Sequence, residues 1–181
     1  MEIIGRTIDD VAGEAFDKIG KIFDLDYPAG PIIDRLAKEG NPDAFKFNKP
    51  RLENYDYSFS GIKTSVLYFI QKEVKKNPNF IKENMNDLCA SVQKCIIEIL
   101  MNKLEKAAKD LAINEVAIAG GVSANSALRQ VMQDNHEKLD WNIYIPKFEY
   151  TTDNAAMIAM VAQLKFERGE FTDLRTTATS K

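Results

Sequence analysis

The sequence predicts an α/β protein with a helical insertion, and two stretches carry that expectation. In the last third, the apolar run Glu115-Val116-Ala117-Ile118-Ala119 breaks at Gly120-Gly121, and a helix-like segment through Leu128 and Val131 follows. A second strand-like run from Trp141 to Ile145 and a final helical stretch over residues 153–168 complete it. Strand, glycine turn, helix, strand and helix in that order is an α/β layout. In the middle, Leu88, Val92, Ile96, Ile97, Leu100, Leu104 and Ala107 recur at spacings of three and four, which predicts one long helix over residues 80–111.

The remaining elements follow from local chemistry. Residues 1–8, with Ile3 and Ile4 ahead of Gly5, read as the end of a strand. Asp9 and Asp10 open a helix over residues 9–23, with acids at its start and Lys18 and Lys21 further on, as the helix dipole prefers. Tyr27-Pro28-Ala29-Gly30-Pro31 is a turn whose second proline suits the first position of a helix over residues 32–38, which Gly40 and Pro42 stop. Residues 41–56 are polar and read as a surface excursion. Tyr57-Ser58-Phe59-Ser60 alternates like a short strand, Gly61 leads into a helix ending near Lys76, and residues 171–181 form a polar tail.

Composition narrows the function. The 181 residues are 45% apolar and 28% charged, ordinary for a globular chain, with a net charge of −3. No basic stripe is visible, so a function on RNA needs positive surface from further sequence or from a partner. Cys89 and Cys95 lie six residues apart in a helical stretch and face different directions, which argues for buried thiols rather than a disulfide. With no signal peptide and no apolar run near membrane-spanning length, a cytoplasmic protein without membrane contact is expected. His136 is the single histidine, in a polar stretch, so a histidine-based metal site cannot be completed within this chain.

Five constellations are candidates for chemistry. In the first helix, Asp10, Gly13 or Glu14, and Asp17 share a face, with Lys18 and Lys21 placed to offset the acids. Gly13 in mid-helix suggests that something approaches the backbone there. Gly30 allows a positive φ and an open backbone, with Asp34 one turn into the next helix. Ser58, Ser60, Gly61, Lys63 and Thr64 sit at a strand-to-helix junction that could cradle a phosphate, although the spacing is not that of a P-loop. Gly120 and Gly121 end an apolar strand, with Ser123 or Asn125 available as helix cap or ligand contact. Asp153 opens the last helix, most simply as its N-cap, and small residues at 155, 156 and 159 would let that helix pack closely on a neighbour.

The stretches GRTIDDVAGEAFDKIGKIFDLDYPAGP, YSFSGIKT, AIAGGVSANSALR and YTTDNAAMIA, in this order from Gly5 to Ala159, resemble the tRNA N6-adenosine threonylcarbamoyltransferase family, historically labelled O-sialoglycoprotease or glycoprotease. The resemblance implies one lobe of a two-lobed fold of the actin and sugar-kinase (ribonuclease H-like) type, with the active site between lobes. It implies transfer of threonylcarbamoyl from threonylcarbamoyl-adenylate to N6 of adenosine 37 in tRNAs that read codons starting with A. It further implies that Asp17, Gly30, Asp34 and Asn125 contact the adenylate or an ATP-type nucleotide, and that Gly13, Ser60, Gly61, Gly120 and Gly121 shape the cleft. Asp153 would be a ligand of one divalent metal, iron or zinc, shared with the other lobe. No catalytic side chain is assigned.

The chain departs from the family pattern at Ala29, where the family usually has glycine, and in lacking the upstream metal-binding histidines and glycine-rich phosphate segment. It therefore reads as an excised C-terminal lobe over residues 1–170, with a largely helical insertion over 41–112, a tail over 171–181 and the N-terminal lobe absent. Such a fragment is expected to be inactive alone and could form a homodimer through its uncovered face. Its partners would be tRNA, reached through a full complex, and the other proteins of that complex. A non-catalytic scaffold paralogue is the alternative reading. A metalloprotease is disfavoured because no H-E-x-x-H motif is present.

Overall fold

The computed structural model describes residues 2–50 and 52–177. Its elements run α1 (Ala12–Ile22), α2 (Ala29–Ala37), α3 (Ser60–Lys76), α4 (Phe80–Glu83), α5 (Met85–Asp110), β1 (Glu115–Ala117), α6 (Ser126–Leu139), β2 (Asn142–Tyr144) and α7 (Ala155–Glu167), with 3-10 turns at Gly121–Ala124 and Phe148–Tyr150. The two strands pair in parallel, Val116 opposite Ile143. The result is a helix-rich α/β arrangement with a small parallel sheet at one side of α5.

α5 organises it. The stripe Leu88, Val92, Cys95, Ile96 and Ile99 enters a core shared with α1, α2 and α3, where Phe16, Ile19, Phe23, Ile33, Phe59, Ile62 and Val66 are buried. A second stripe, Ile97, Met101 and Ala108, enters a smaller core with Val116, Leu128, Met132 and Trp141. Both stripes keep the three- and four-residue spacing of one helix, so α5 serves two cores from two faces. Cys89 and Cys95 are free and buried, and burial pushes their thiols up to about 12 and about 11. No described helix is long and apolar enough to cross a membrane.

Several boundaries differ from the sequence reading. The helix expected over 80–111 breaks at Asn84, whose side-chain amide donates to the Phe80 carbonyl at 2.8 Å and competes with the helical ladder. The strands expected at 1–8 and 57–60 reduce to a single bridge between Thr7 and Tyr57; Met1 lies outside the described residues. Backbone there is claimed by Asp9 instead. Its carboxylate accepts from Phe59 N–H at 2.7 Å, Ser60 N–H at 3.3 Å, Ser58 Oγ at 2.5 Å and Ser60 Oγ at 2.7 Å, so α3 begins at Ser60 under a cap supplied from fifty residues away. Consequently α1 starts at Ala12, not Asp9.

α2 starts at Ala29, three residues before its expected start, and Pro31 is its third residue. The missing N–H of a proline costs nothing in the first turn. α1 and α2 meet where Gly20 faces Ala29; a methyl built on Gly20 would lie 2.1 Å from the Ala29 Cβ. The alanine at 29 fits because residue 20 is glycine.

α7 is the largest departure. Its small residues were expected to seat it against a neighbour, yet none of its residues is buried, and Ile158, Met160 and Phe166 are 74%, 62% and 65% exposed. Residues 155–162 of α7 are all apolar, a surface built to be covered, and nothing among the described residues covers it. Residues 171–177 of the expected tail form no helix or strand, and residues 178–181 lie outside the described residues.

Three outcomes follow from this packing. Gly20→Ala should destabilise the chain by about 1–3 kcal/mol, and adding Ala29→Gly should restore most of that loss in denaturant unfolding. Additive losses instead would show that the Gly20–Ala29 contact is not limiting. Asp9→Ala should cost about 1–2 kcal/mol at neutral pH. Burial pushes the Asp9 carboxyl up, but the hydrogen bonds from Ser58, Phe59 and Ser60 outweigh it and hold it below the usual carboxylate range. A lowered carboxyl stabilises the fold above its unfolded value and loses that effect as pH falls through the folded one. The difference between wild type and Asp9→Ala should therefore close as pH drops below about 4. Finally, this chain by itself should self-associate in sedimentation experiments. Replacing Ile158, Met160 and Phe166 with serine should restore the monomer without lowering the thermal midpoint, because α7 buries nothing.

Candidate functional site

Asp17, on the last half of α1, faces the start of α2, where Ala29 N–H donates to its Oδ1 at 2.8 Å. Gly30 is the second residue of α2 and half-buried, and its φ is not positive, which corrects the expected turn conformation. A methyl there would first meet Phe16 Cβ, 4.0 Å away, so packing within the chain does not by itself require glycine at this position. Asp34 lies one turn further along α2. Its carboxylate accepts from Ser126 N–H at 3.1 and 3.2 Å and from Ser126 Oγ at 2.8 Å, tying α2 to the head of α6 across 92 residues. Asn125 is the next residue back. Asp17, Gly30, Asp34 and Asn125 are thus joined through a continuous set of contacts at the heads of α2 and α6.

The turn after β1 is shaped by Gly120, at φ +80°, and by Gly121. Both are exposed, and a side chain added to either would meet nothing within 4 Å. This is the open backbone at the carboxyl end of a parallel strand, where ligands of α/β proteins settle. Ser123 is buried and turns inward, its Oγ donating to the Gly120 carbonyl at 2.6 Å. Asn125 is therefore the residue that caps α6: its Oδ1 accepts from Leu128 N–H at 3.0 Å, and its Nδ2 donates to Gln93 Oε1 on α5 at 2.6 Å. Gly13 faces this turn. A methyl on it would come within 3.6 Å of the Val122 side chain, so the approach expected at Gly13 is made by the chain itself.

The acidic face of α1 resolves into separate tasks. Lys18 bridges Asp10 at 2.6 Å and Glu14 at 2.8 Å, whereas Asp17 serves α2, so the three acids do not act as one cluster. At the head of α3, Ser58 and Ser60 both donate to Asp9, leaving Gly61 exposed with open space beside it. This overturns the phosphate cradle: a carboxylate already occupies the N–H groups and hydroxyls that a phosphate would need. A hollow of about 580 Å³ lies at the opposite ends of β1 and β2, lined by Glu105, Lys109, Ile113, Leu139 and Trp141.

Asp153 is exposed and makes no hydrogen bond among the described residues. It is not the N-cap of α7. Asn154 is, accepting from Met157 N–H at 3.2 Å, which leaves the Asp153 carboxylate uncommitted. A free carboxylate suits a hard divalent cation, but no three His, Cys, Asp or Glu side chains are grouped for a metal among the described residues. His136 sits at the far end of α6, against the Trp141 carbonyl.

Four positioning residues were not singled out from sequence: Asp9, Ser126, Gln93 and Arg129. Arg129 donates to the carbonyls of Ser123 and Pro146, each at 2.7 Å, and lies 4.1 Å from the centre of the Phe148 ring. It thereby ties the glycine turn to the segment leading to Asp153. Their partners are six to 92 residues away, and no local spacing marks them.

Comparison with known proteins shows the family. A family model described as tRNA N6-adenosine threonylcarbamoyltransferase matches residues 1–160. The protein of that name from Riemerella anatipestifer is 80% identical over all 181 residues, which cover 53% of its own length. The one from Christiangramia forsetii is 55% identical over all 181 residues, again 53% of its length. The one from Porphyromonas gingivalis is 56% identical over 94% of this chain and 50% of its own. The chain thus spans about half the length of the curated relatives it matches, and on the strength of a match across most of its residues it belongs to the tRNA N6-adenosine threonylcarbamoyltransferase family.

Proposed function

We propose that this chain is the substrate-holding part of a transferase that moves threonylcarbamoyl from threonylcarbamoyl-adenylate to N6 of adenosine 37 in tRNA. One observation carries the reading. Segments that share the family's wording but lie far apart in sequence, around Asp9 to Asp17, Ala29 to Asp34, Ser58 to Gly61 and Gly120 to Asn125, meet through Asp17–Ala29, Asp34–Ser126, Asp9–Ser60 and Gly13–Val122. Two exposed glycines leave backbone open beside that junction.

In this reading the adenylate lies along Gly120 and Gly121, near the heads of α2 and α6. Asp17 and Asp34 keep those helix heads in place and offer their remaining acceptor capacity to the nucleotide's hydroxyls. The amine of adenosine attacks the carbamoyl carbon, a new N–C bond forms, the bond to the adenylate phosphate breaks, and the nitrogen loses a proton. Asp153 would hold an iron or zinc ion together with groups from outside this chain; such an ion supplies Lewis-acid polarisation of the carbamoyl group. Its exposed, unbonded carboxylate supports that role.

The uncovered α7 and the β1 edge that pairs with β2 alone support a fold with a second lobe. Residues 1–170 would then be one lobe and 41–112 its helical insertion. The setting is cytoplasmic, with tRNA and further proteins of the modification complex as partners, and this chain alone is inactive.

The test uses the protein at the full length of its relatives, with the adenylate and unmodified tRNA. Asp153→Ala should lower transfer ~100-fold or more with an unchanged thermal midpoint and reduced metal content, and the 181-residue chain alone should show no transfer. Full transfer with normal metal content in Asp153→Ala would refute the assigned role.

A further inference from the structure

α3 leaves the candidate site at Ser60 and runs for 17 residues, about 25 Å. Ile62, Val66 and Ile70 form its buried stripe. The opposite stripe, Gly61, Thr64, Tyr68, Lys72 and Lys75, is exposed. It carries no acid. The one acid of α3, Glu73, is half-buried and bonded to Lys76 at 2.8 Å, while Lys72 and Lys75 make no ion pair among the described residues. Tyr68 is 66% exposed and stands one turn from Thr64 on one side and Lys72 on the other. In a chain with net charge −3, composition hides this face; helix geometry gathers it from positions spread over fifteen residues.

An exposed tyrosine alone is ordinary; what distinguishes this face is that Tyr68 stands in line with two lysines free of ion pairs among the described residues. Ammonium groups in line with an exposed ring and a hydroxyl match the chemistry of a polynucleotide, with phosphates on the lysines and a base or ribose on the ring. The stripe begins at Gly61, next to Ser60, which Asp9 ties to the start of α1, and α1 in turn meets the glycine turn through Gly13 and Val122. An RNA with one nucleotide in that site has a basic face one helix away. Building on the transferase reading above, we infer that the outer face of α3 docks the anticodon arm of the tRNA, with Lys72 and Lys75 on phosphates and Tyr68 against a nucleotide.

The test uses the full-length protein with its partners and an unmodified tRNA transcript. Lys72→Ala with Lys75→Ala should raise the tRNA Kd and KM about tenfold, leave the KM for the adenylate unchanged, and flatten the plot of log Kd against log salt by roughly 1.4–1.8, the share of two phosphate contacts. Tyr68→Ala should raise the tRNA Kd about fivefold or more, and the Lys72→Arg, Lys75→Arg pair should behave as wild type. Thermal midpoints are unchanged in all three, since none of these side chains is buried. Unaltered tRNA affinity and salt slope in a protein whose wild type transfers normally overturns the inference while leaving the transferase reading intact. Loss of assembly with a partner protein in the absence of RNA also overturns it, in favour of an acidic protein surface. A wild type that neither binds tRNA nor modifies it removes both readings.

Discussion

The register of α5 is the constraint on which the other contacts depend. One helix buries Leu88, Val92 and Ile96 in one core and Ile97 and Met101 in the other, so a rotation of one residue, about 100°, would empty both. Two buried polar groups fix that register further. Ser91 Oγ accepts from Phe45 N–H at 3.1 Å, and Gln93 Oε1 accepts from Asn125 Nδ2 at 2.6 Å. Each would be left unsatisfied by a slip, a larger penalty than the bond itself contributes. Through Gln93 the spine sets where α6 begins, and through its packing with α2 it sets where Asp34 points.

Three carboxylates share one task. Asp9 closes the head of α3, Asp17 the head of α2 and Asp34 the head of α6, and none of them belongs to the helix it serves. The free N–H groups and the positive end of a helix dipole attract an anion, and here the anion is a side chain. This arrangement locks helices to one another and withdraws those N–H groups from ligand binding. An incoming phosphate would meet carboxylates at all three heads. What stays open is the backbone of Gly120 and Gly121, and so, under the proposed transferase function, the glycine turn rather than a helix terminus is the seat assigned to the adenylate.

The two uncovered surfaces differ in kind. α7 is apolar throughout residues 155–162 and buries nothing, which suits a protein face and carries Asp153 with it. The outer stripe of α3 is basic and aromatic, which suits a polynucleotide. Both start near the glycine turn or the segments tied to it, Asp153 through Arg129 and α3 through Asp9. Chemistry drawn from several sources can meet at one junction because short polar contacts hold the origins of these elements together.

By itself the sequence determined the class, the helical periodicity of α5 and α6, and the family wording around Asp17, Gly30, the glycine turn and Asp153. Those features are local, since a helix face or a glycine turn is written within a few neighbouring residues. Tertiary structure decided what each polar group does. Asp9 capping α3, Asp34 holding Ser126, Asn125 rather than Ser123 capping α6, and Asn154 freeing Asp153 from the same duty all depend on which backbone arrives alongside. The early start of α2 and the loss of the expected strand at 57–60 were decided in the same way, by Asp17 and Asp9 reaching backbone that local propensity alone would have paired differently. A hydrogen bond between residues 50 or 92 positions apart leaves no periodic trace in the chain, because its geometry exists only once the two cores of α5 have formed.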